Sequence, residues 1–482
     1  MEDNKLKSKV LISLFWKMME SGGVQGVQFV VQIVLARLLL PEDYGNIALV
    51  SIFIVLGNVF VQRGFNTALI QKKDTDEVDF SSAFYLSLFT AGSLYLVLFF
   101  ISPLIADFFQ ASNLVEILRV LAVMLFFGAV NSIQGAYIAK KMLFRKLFFS
   151  SVGAILVSGT LGIVTAYSGW GVWALVIQQL ANQILTTIIL WFTVKWRPKL
   201  LFSKKRVKSL FSYGWKLLVA SLIDVLEKDV RSLIIGKFYS PAMLGVYNRG
   251  EQFPKLIVNN INGPIQSVML PALSSQQHNK VKVKNMVRRS ITTCSFIVFP
   301  SMVGLAVIAE PLTKILLTEK WLPSVPFLVI FSASYALWPI HTANLQAINA
   351  LGRSDIFLKL EIAKKIIGLI VLLASLPFGV YAIALGSLLS GIISTFVNAY
   401  PNNKLLDYNY KEQWKDIMPS LLLSLAVGGA IYNIRIFSMG DLLTIILQIF
   451  SEGILYLGLA KLFKMESYKY IVSTGKEFLK NR

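Results

Sequence analysis

Cysteine is nearly absent from this chain: Cys294 is the one example in 482 residues. That excludes an internal disulfide, a cysteine-based metal cluster and a redox pair, and leaves Cys294 to read as a small apolar residue inside a helix. Charge is also scarce, with Asp, Glu, Lys and Arg together only 15% of residues. No G-x-x-x-x-G-K-[ST] is present, which speaks against direct ATP coupling within the chain. H-E-x-x-H is missing too. Asp74-Thr75-Asp76 has the look of a metal-holding acidic pair, yet with no nucleotide-binding domain around it the better reading is a solvated loop. No gap between apolar segments is long enough for a folded soluble domain. Chemistry, if any, takes place within the membrane.

What fills the chain is apolar sequence. Hydrophobic residues make up 55% and the mean hydropathy is +0.64, more apolar surface than a soluble domain of this size could hide. A segment of about 20 apolar residues crosses a bilayer core, and hydropathy with turn signals gives about fourteen such helices. They are expected at 10–38, 44–62, 80–109, 114–139, 147–167, 170–194, 210–235, 243–269, 285–308, 324–350, 355–376, 380–400, 417–434 and 442–462. Lys17 and Glu20 interrupt the first apolar run and no A-x-A site follows, so the amino terminus reads as an uncleaved helix.

The formal charge of +21 is distributed at alternate segment ends, not along one soluble face. Clusters occur at Lys5/Lys7/Lys9, Lys72/Lys73, Lys140 to Lys146, Lys195 to Lys208, Lys280 to Arg289, Arg353/Lys359, Lys404 to Lys415, and Lys461 to Arg482. The gaps near Asp107, Ser168-Gly169 and Pro377-Gly379 carry almost none. This pattern disfavours nucleic acid as a partner and, by the positive-inside rule, places the basic gaps and both termini in the cytoplasm.

The first twelve spans divide into six plus six. Pro41-Glu42-Asp43-Tyr44-Gly45 is echoed by Pro241-Ala242-Met243-Leu244-Gly245, and Gly171-Val172-Trp173-Ala174-Leu175 by Gly379-Val380-Tyr381-Ala382-Ile383. Gln134-Gly135-Ala136 and Gln346-Ala347-Ile348 hold similar places before basic loops. The echoes lie roughly 200 residues apart and both halves start on the same side, so the repeat is parallel. The fold class is therefore an all-α polytopic membrane protein of two six-helix repeats plus two C-terminal helices. Lobes are expected at 1–203 and 204–403, with the remaining two spans and a basic tail at 404–482.

Polar residues recur at steps of three and four, and so share helix faces. The first span carries Lys17, Ser21, Gln25, Gln28 and Gln32; the second carries Ser51, Asn58 and Gln62, followed by Arg63. The seventh carries Ser221, Asp224, Lys228 and Arg231, with Glu227 and Asp229 nearby. The eighth carries Asn248, Gln252, Lys255, Asn259, Asn262 and Gln266, with Arg249 beside the line. An ionised side chain at mid-bilayer costs about 2.5–3.5 kcal/mol on insertion scales, so these groups face water, partners or substrate. Interhelical hydrogen bonds and internal pairs, Asp224 with Lys228 and Glu227 with Arg231, are the alternative. Pro254 and Gly263-Pro264 bend the eighth span, as a moving gate or a static kink. His341 reads as a hydrogen-bonded packing residue in preference to a proton relay.

The chain also resembles a known family. Leu40-Pro41-Glu42-Asp43-Tyr44-Gly45, Arg63-Gly64-Phe65-Asn66-Thr67-Ala68-Leu69-Ile70-Gln71, Phe144-Arg145-Lys146, Asp229, Ile235-Gly236-Lys237, Leu244-Gly245-Val246-Tyr247 and Pro254 are similar to bacterial Wzx-type polysaccharide flippases. The likeness is to exporters of the colanic- and teichuronic-acid type, in the multidrug/oligosaccharidyl-lipid/polysaccharide superfamily. It implies a V-shaped two-lobed transporter in the bacterial inner membrane, not an enzyme. The cargo implied is an undecaprenyl-diphosphate-linked oligosaccharide, moved from the cytoplasmic to the outer leaflet for surface polysaccharide synthesis, alongside polymerase and chain-length proteins. No cofactor is expected, and the coupling ion would be H+ or Na+. Combined with the stripes, it makes Lys17, Gln25, Gln28, Arg63, Lys228, Arg231, Arg249, Gln252, Lys255 and Asn259 the candidate substrate contacts, and Asp224, Glu227 and Asp229 the candidate coupling carboxylates. Two alternatives stay open: a drug/cation antiporter of the same superfamily, and a membrane polymerase or ligase.

Overall fold

The computed structural model describes residues 2–72, 74–437 and 439–480. By backbone contacts the chain forms two compact units, one ending at Gly245 and the other starting at Val246. The first contains α1 (Glu2–Leu38), α2 (Pro41–Asn58), a π-helical turn (Val59–Arg63), α3 (Gly64–Gln71), α4 (Glu77–Phe109), α5 (Leu114–Leu121), α6 (Met124–Lys141), α7 (Phe144–Tyr167), α8 (Val172–Thr193) and α9 (Lys204–Phe238), with the first turn of α10 (Pro241–Ser274). The second holds the rest of α10, then α11 (Lys280–Val307), α12 (Ala309–Leu317), α13 (Val325–Tyr335), α14 (Trp338–Ala350) and α15 (Ser354–Ser375). It ends with α16 (Val380–Leu406), α17 (Tyr410–Tyr432), α18 (Asp441–Leu462) and α19 (Glu466–Lys480).

Each of the fourteen expected spans coincides with a helix or a pair of consecutive helices. Among the described residues, ten stretches are long and apolar enough to cross a membrane, or eleven with α9, which bends by 51° between Ser212 and Gly214. The chain is a multi-pass membrane protein. Helices α1, α10 and α15 are not among these stretches: α1 and α10 carry ionic and amide residues, and α15 carries Lys359, Glu361, Lys364 and Lys365. The amphipathic α19 and the short α12 are helices that hydropathy did not single out.

Small residues set the helix contacts, as expected where lipid is as apolar as leucine and close packing drives association. A side chain at Gly159 of α7 would overlap Val31 of α1, and one at Gly428 of α17 would overlap Val303 of α11. The two echoes at Gly171 and Gly379 share a local structure: each glycine has positive φ, +53° and +98°, immediately before α8 and α16. An L side chain there would be strained. A second pair of echoes meets directly within the first unit. A Cβ on Gly45 would overlap the carbonyl of Pro241, and a Cβ on Gly245 would overlap that of Pro41 and stand 3.2 Å from the Gly45 nitrogen.

The basic gap after α3 is tied down by specific bonds. Asp76 caps α4, accepting from the Asp79 amide at 2.9 Å, while Asp79 accepts from the Asp76 amide at 3.2 Å. Lys72 reaches the buried Asp79 carboxylate at 2.6 Å, and Lys140 donates to the Lys72 carbonyl at 2.6 Å. The Asp79 amide, helped by the Arg206 guanidinium, holds the Asp76 carboxyl below its ordinary range. A depressed carboxyl stabilises the fold above its unfolded pKa, about 4, and that contribution is lost as pH falls through the lower folded value. Asp76→Ala is therefore expected to cost about 1 kcal/mol at neutral pH. Thermal unfolding in detergent should show that deficit shrinking in acid, and a deficit independent of pH would refute the capping role. The connector 195–203 is pinned as well: Trp196 packs against Phe80 at 5.7 Å, and Ser81 accepts from the Lys199 amide at 3.0 Å.

Candidate functional site

In the second unit the polar line of α10 forms a cluster with its neighbours. Arg249 is buried, donates to the Gln252 side-chain oxygen at 2.6 Å, and lies 5.0 Å from the centre of the Trp321 ring. Glu251 accepts from the Tyr335 hydroxyl of α13 at 2.5 Å, and Lys255 approaches the same oxygen at 3.5 Å. Lys255 and Asn259 are exposed, whereas Asn262 is buried with an unsatisfied carbonyl oxygen. The helix runs unbroken through Pro254. Two cations and one carboxylate, rimmed by amides and aromatic rings, suit an anionic group flanked by hydroxyls: guanidinium and ammonium bind phosphate, and amides both donate to and accept from sugar.

In the first unit, Lys17 and Gln25 are exposed on α1 and Gln28 is half-buried. Lys17 pairs with Glu20 at 2.6 Å, and Gln25 donates to Ser21 at 3.3 Å. Next to this line α1 packs on α7, through Val31 against Gly159 and through Trp16, 5.4 Å from Phe148. On α9, Asp224, Glu227 and Lys228 are exposed, and Asp229 and Arg231 are intermediate. The stripe of the second span behaves differently. Gln62 donates to Asn58 at 2.8 Å, and both amides press on Gly128 of α6, so this face is spent on helix packing. Arg63 ends the π-helical turn, and its side chain lies outside those described.

Arg249, Gln252 and Lys255 are thus brought together, while Lys17, Gln25 and Gln28 share one helix. Sequence spacing missed Glu251, Tyr335 and Trp321. Glu251 had a signal, four residues before Lys255, but nothing local points to an aromatic partner on another helix. His341 is a hydrogen-bonded packing group, with Asn398 at 3.1 Å and Thr395 at 3.5 Å.

A cavity of about 1210 Å³ in the second unit touches none of the α10 line. It lies among the charged ends of α11, α16, α17 and α19, where the charges already answer one another. Arg288 binds Asp416 at 2.9 Å, Lys284 binds Glu412 at 2.9 Å, and the Tyr408 hydroxyl donates to Asp416 at 2.7 Å. Burial pushes the Tyr408 phenol up, so it stays a donor at any physiological pH. Size alone does not make this the site; the α10 cluster has the better chemistry.

Comparison with known proteins narrows the reading. Residues 34–326 match a family described as polysaccharide biosynthesis protein. The teichuronic acid biosynthesis protein TuaB of Bacillus subtilis is 24% identical over 84% of this chain and 85% of its own length. The lipopolysaccharide biosynthesis protein WzxC of Escherichia coli is 21% identical over 88% of both. Among solved structures, the lipid II flippase MurJ in an inward closed conformation superposes with a TM-score of 0.77 at 15% identity, covering 95% of this chain and 100% of that one. An inward-facing multidrug resistance MATE transporter of the MOP superfamily gives 0.60 at 14% identity, covering 79% and 94%. These two establish the all-helical transporter fold.

Proposed function

Since the chain belongs to the polysaccharide biosynthesis protein family, we propose that it is a flippase that carries a lipid-linked oligosaccharide from the cytoplasmic to the outer leaflet. The lipid carrier is undecaprenyl diphosphate in this reading, and the membrane is the bacterial inner membrane with both termini inside. The observation that carries it is the α10 cluster: Arg249 and Lys255 outnumber Glu251, and Gln252 and Asn259 flank them. A diphosphate fits the cations, sugar hydroxyls fit the amides, and the lipid tail stays in the bilayer. A drug/cation antiporter would want the opposite charge there.

Transport proceeds by alternating access of two lobes, 1–203 and 204–403, with 404–482 outside the repeat. Lys17, Gln25, Gln28, Arg63, Lys228 and Arg231 supply further contacts along the headgroup's path. An H+ or Na+ gradient drives the cycle through Asp224, Glu227 or Asp229, and polymerase and chain-length proteins consume the product. Cells lacking the protein should accumulate lipid-linked repeat units on the cytoplasmic face of the membrane. Finished but unpolymerised units outside would contradict the proposal.

A further inference from the structure

Between Asp441 and Lys461, helix α18 carries a single Asp, Glu, Lys, Arg or His, and it is Glu452. Eleven residues at about 1.5 Å each put it about 16 Å from Asp441, halfway through a hydrocarbon core of about 30 Å. Its carboxyl sits in a notch on α11, where a Cβ on Gly304 would overlap both carboxyl oxygens. One of those oxygens is buried, and among the described residues the group has no hydrogen-bond or ion-pair partner. Phe296, Val307, Leu423, Val427 and Tyr456 form a buried apolar cluster between α11, α17 and α18, and Gln448, one turn before Glu452, is buried with its amide donating to the Ile431 carbonyl at 3.2 Å.

The charged groups on every packed element are distant or occupied. Helix α11 has none between Arg289 and Gly304, and α17 has none between Asp416 and Tyr432. Arg435 is held by Glu310 at 3.1 Å and by the Val307 carbonyl at 2.7 Å, and Glu310 also binds Lys314 at 3.1 Å. On α19, Glu466 and Lys469 begin beyond the far end of α18. Tyr456, one turn from Glu452, donates its hydroxyl to the Phe296 carbonyl at 3.0 Å.

An unpaired carboxylate at that depth is costly, whereas the neutral acid is tolerated. We propose that Glu452 is a proton-binding site: a carboxylic acid while seated against Gly304, and a carboxylate when α18 withdraws from α11 into water. A proton from water adds to one carboxylate oxygen in the first step and returns to water in the second; no other bond changes. The inference deepens the ion-driven reading above by naming the proton as the ion and placing its carrier outside the polar stripes.

Dicyclohexylcarbodiimide modifies protonated carboxyls in apolar surroundings, so the full-length protein in liposomes is treated and its peptides read by mass spectrometry. The α18 peptide should carry an adduct at about pH 6 that falls severalfold by about pH 9, and Glu452→Gln should carry none. No adduct on that peptide from folded protein, or labelling that ignores pH, overturns the site. In the transport arm, Glu452→Gln should lose the acceleration produced by an imposed pH gradient; unchanged acceleration overturns the coupling. If unsubstituted protein moves no lipid-linked oligosaccharide, the flippase reading fails while the labelling result still stands.

Discussion

Alanine at Gly45 or Gly245 is expected to cut export at least tenfold. The two glycines belong to copies of one five-residue motif, and each lies against the carbonyl of the other copy's proline. A methyl group at either position meets backbone, which cannot swing aside as a side chain would. The helices must separate, at an overpacking cost of about 1–3 kcal/mol. Separation also moves the start of α10, and with it the register of Arg249, one turn further on. Because both substitutions spoil the same contact, the double variant should be little worse than either single one. Surface polymer, normalised to the amount of folded protein in the membrane, measures this. Full export by Gly45→Ala, or additive losses in the double variant, would show that the crossing does not matter.

Arg249→Ala should slow transport by a similar or larger factor without unfolding the protein. The guanidinium donates to Gln252 and lies over Trp321, so its fork is fixed before any ligand arrives. A charge-assisted hydrogen bond is worth about 1.5–3 kcal/mol, which corresponds to about a tenfold to hundredfold change in rate or affinity. Arg249→Lys keeps the charge but not the planar fork, and should fall between the two. Lys255→Gln frees Glu251 from its cation and leaves it with Tyr335, cancelling the cluster's excess positive charge. Initial flipping rates, paired with circular dichroism to confirm folding, separate these outcomes. Equal rates for Arg249→Ala and unsubstituted protein would remove Arg249 from the substrate path.

The spans were legible because membrane length and apolarity are properties of a segment by itself. The polar face of α10 was legible for the same reason: residues 248, 252, 255 and 259 share a face whatever surrounds the helix. What a face packs against is not written in its period. Asn58 and Gln62 carry the same spacing as the α10 line, yet they rest on Gly128 of α6. Tyr335 reaches Glu251 across 84 residues, a pairing no local pattern encodes. Glu452 continues a line of Thr444 and Gln448 at steps of four, but that line lies in the last two spans, outside the repeat from which the polar stripes are read.

Flipping by purified protein in liposomes tests the central claim most directly. Lipid-linked oligosaccharide is placed in one leaflet and its headgroup is probed from the other side with a membrane-impermeant reagent. The account predicts that unsubstituted protein exposes the headgroup under an imposed ion gradient and that Arg249→Ala does so at least tenfold more slowly. Absence of transfer under every gradient, or equal transfer by both proteins, would contradict it.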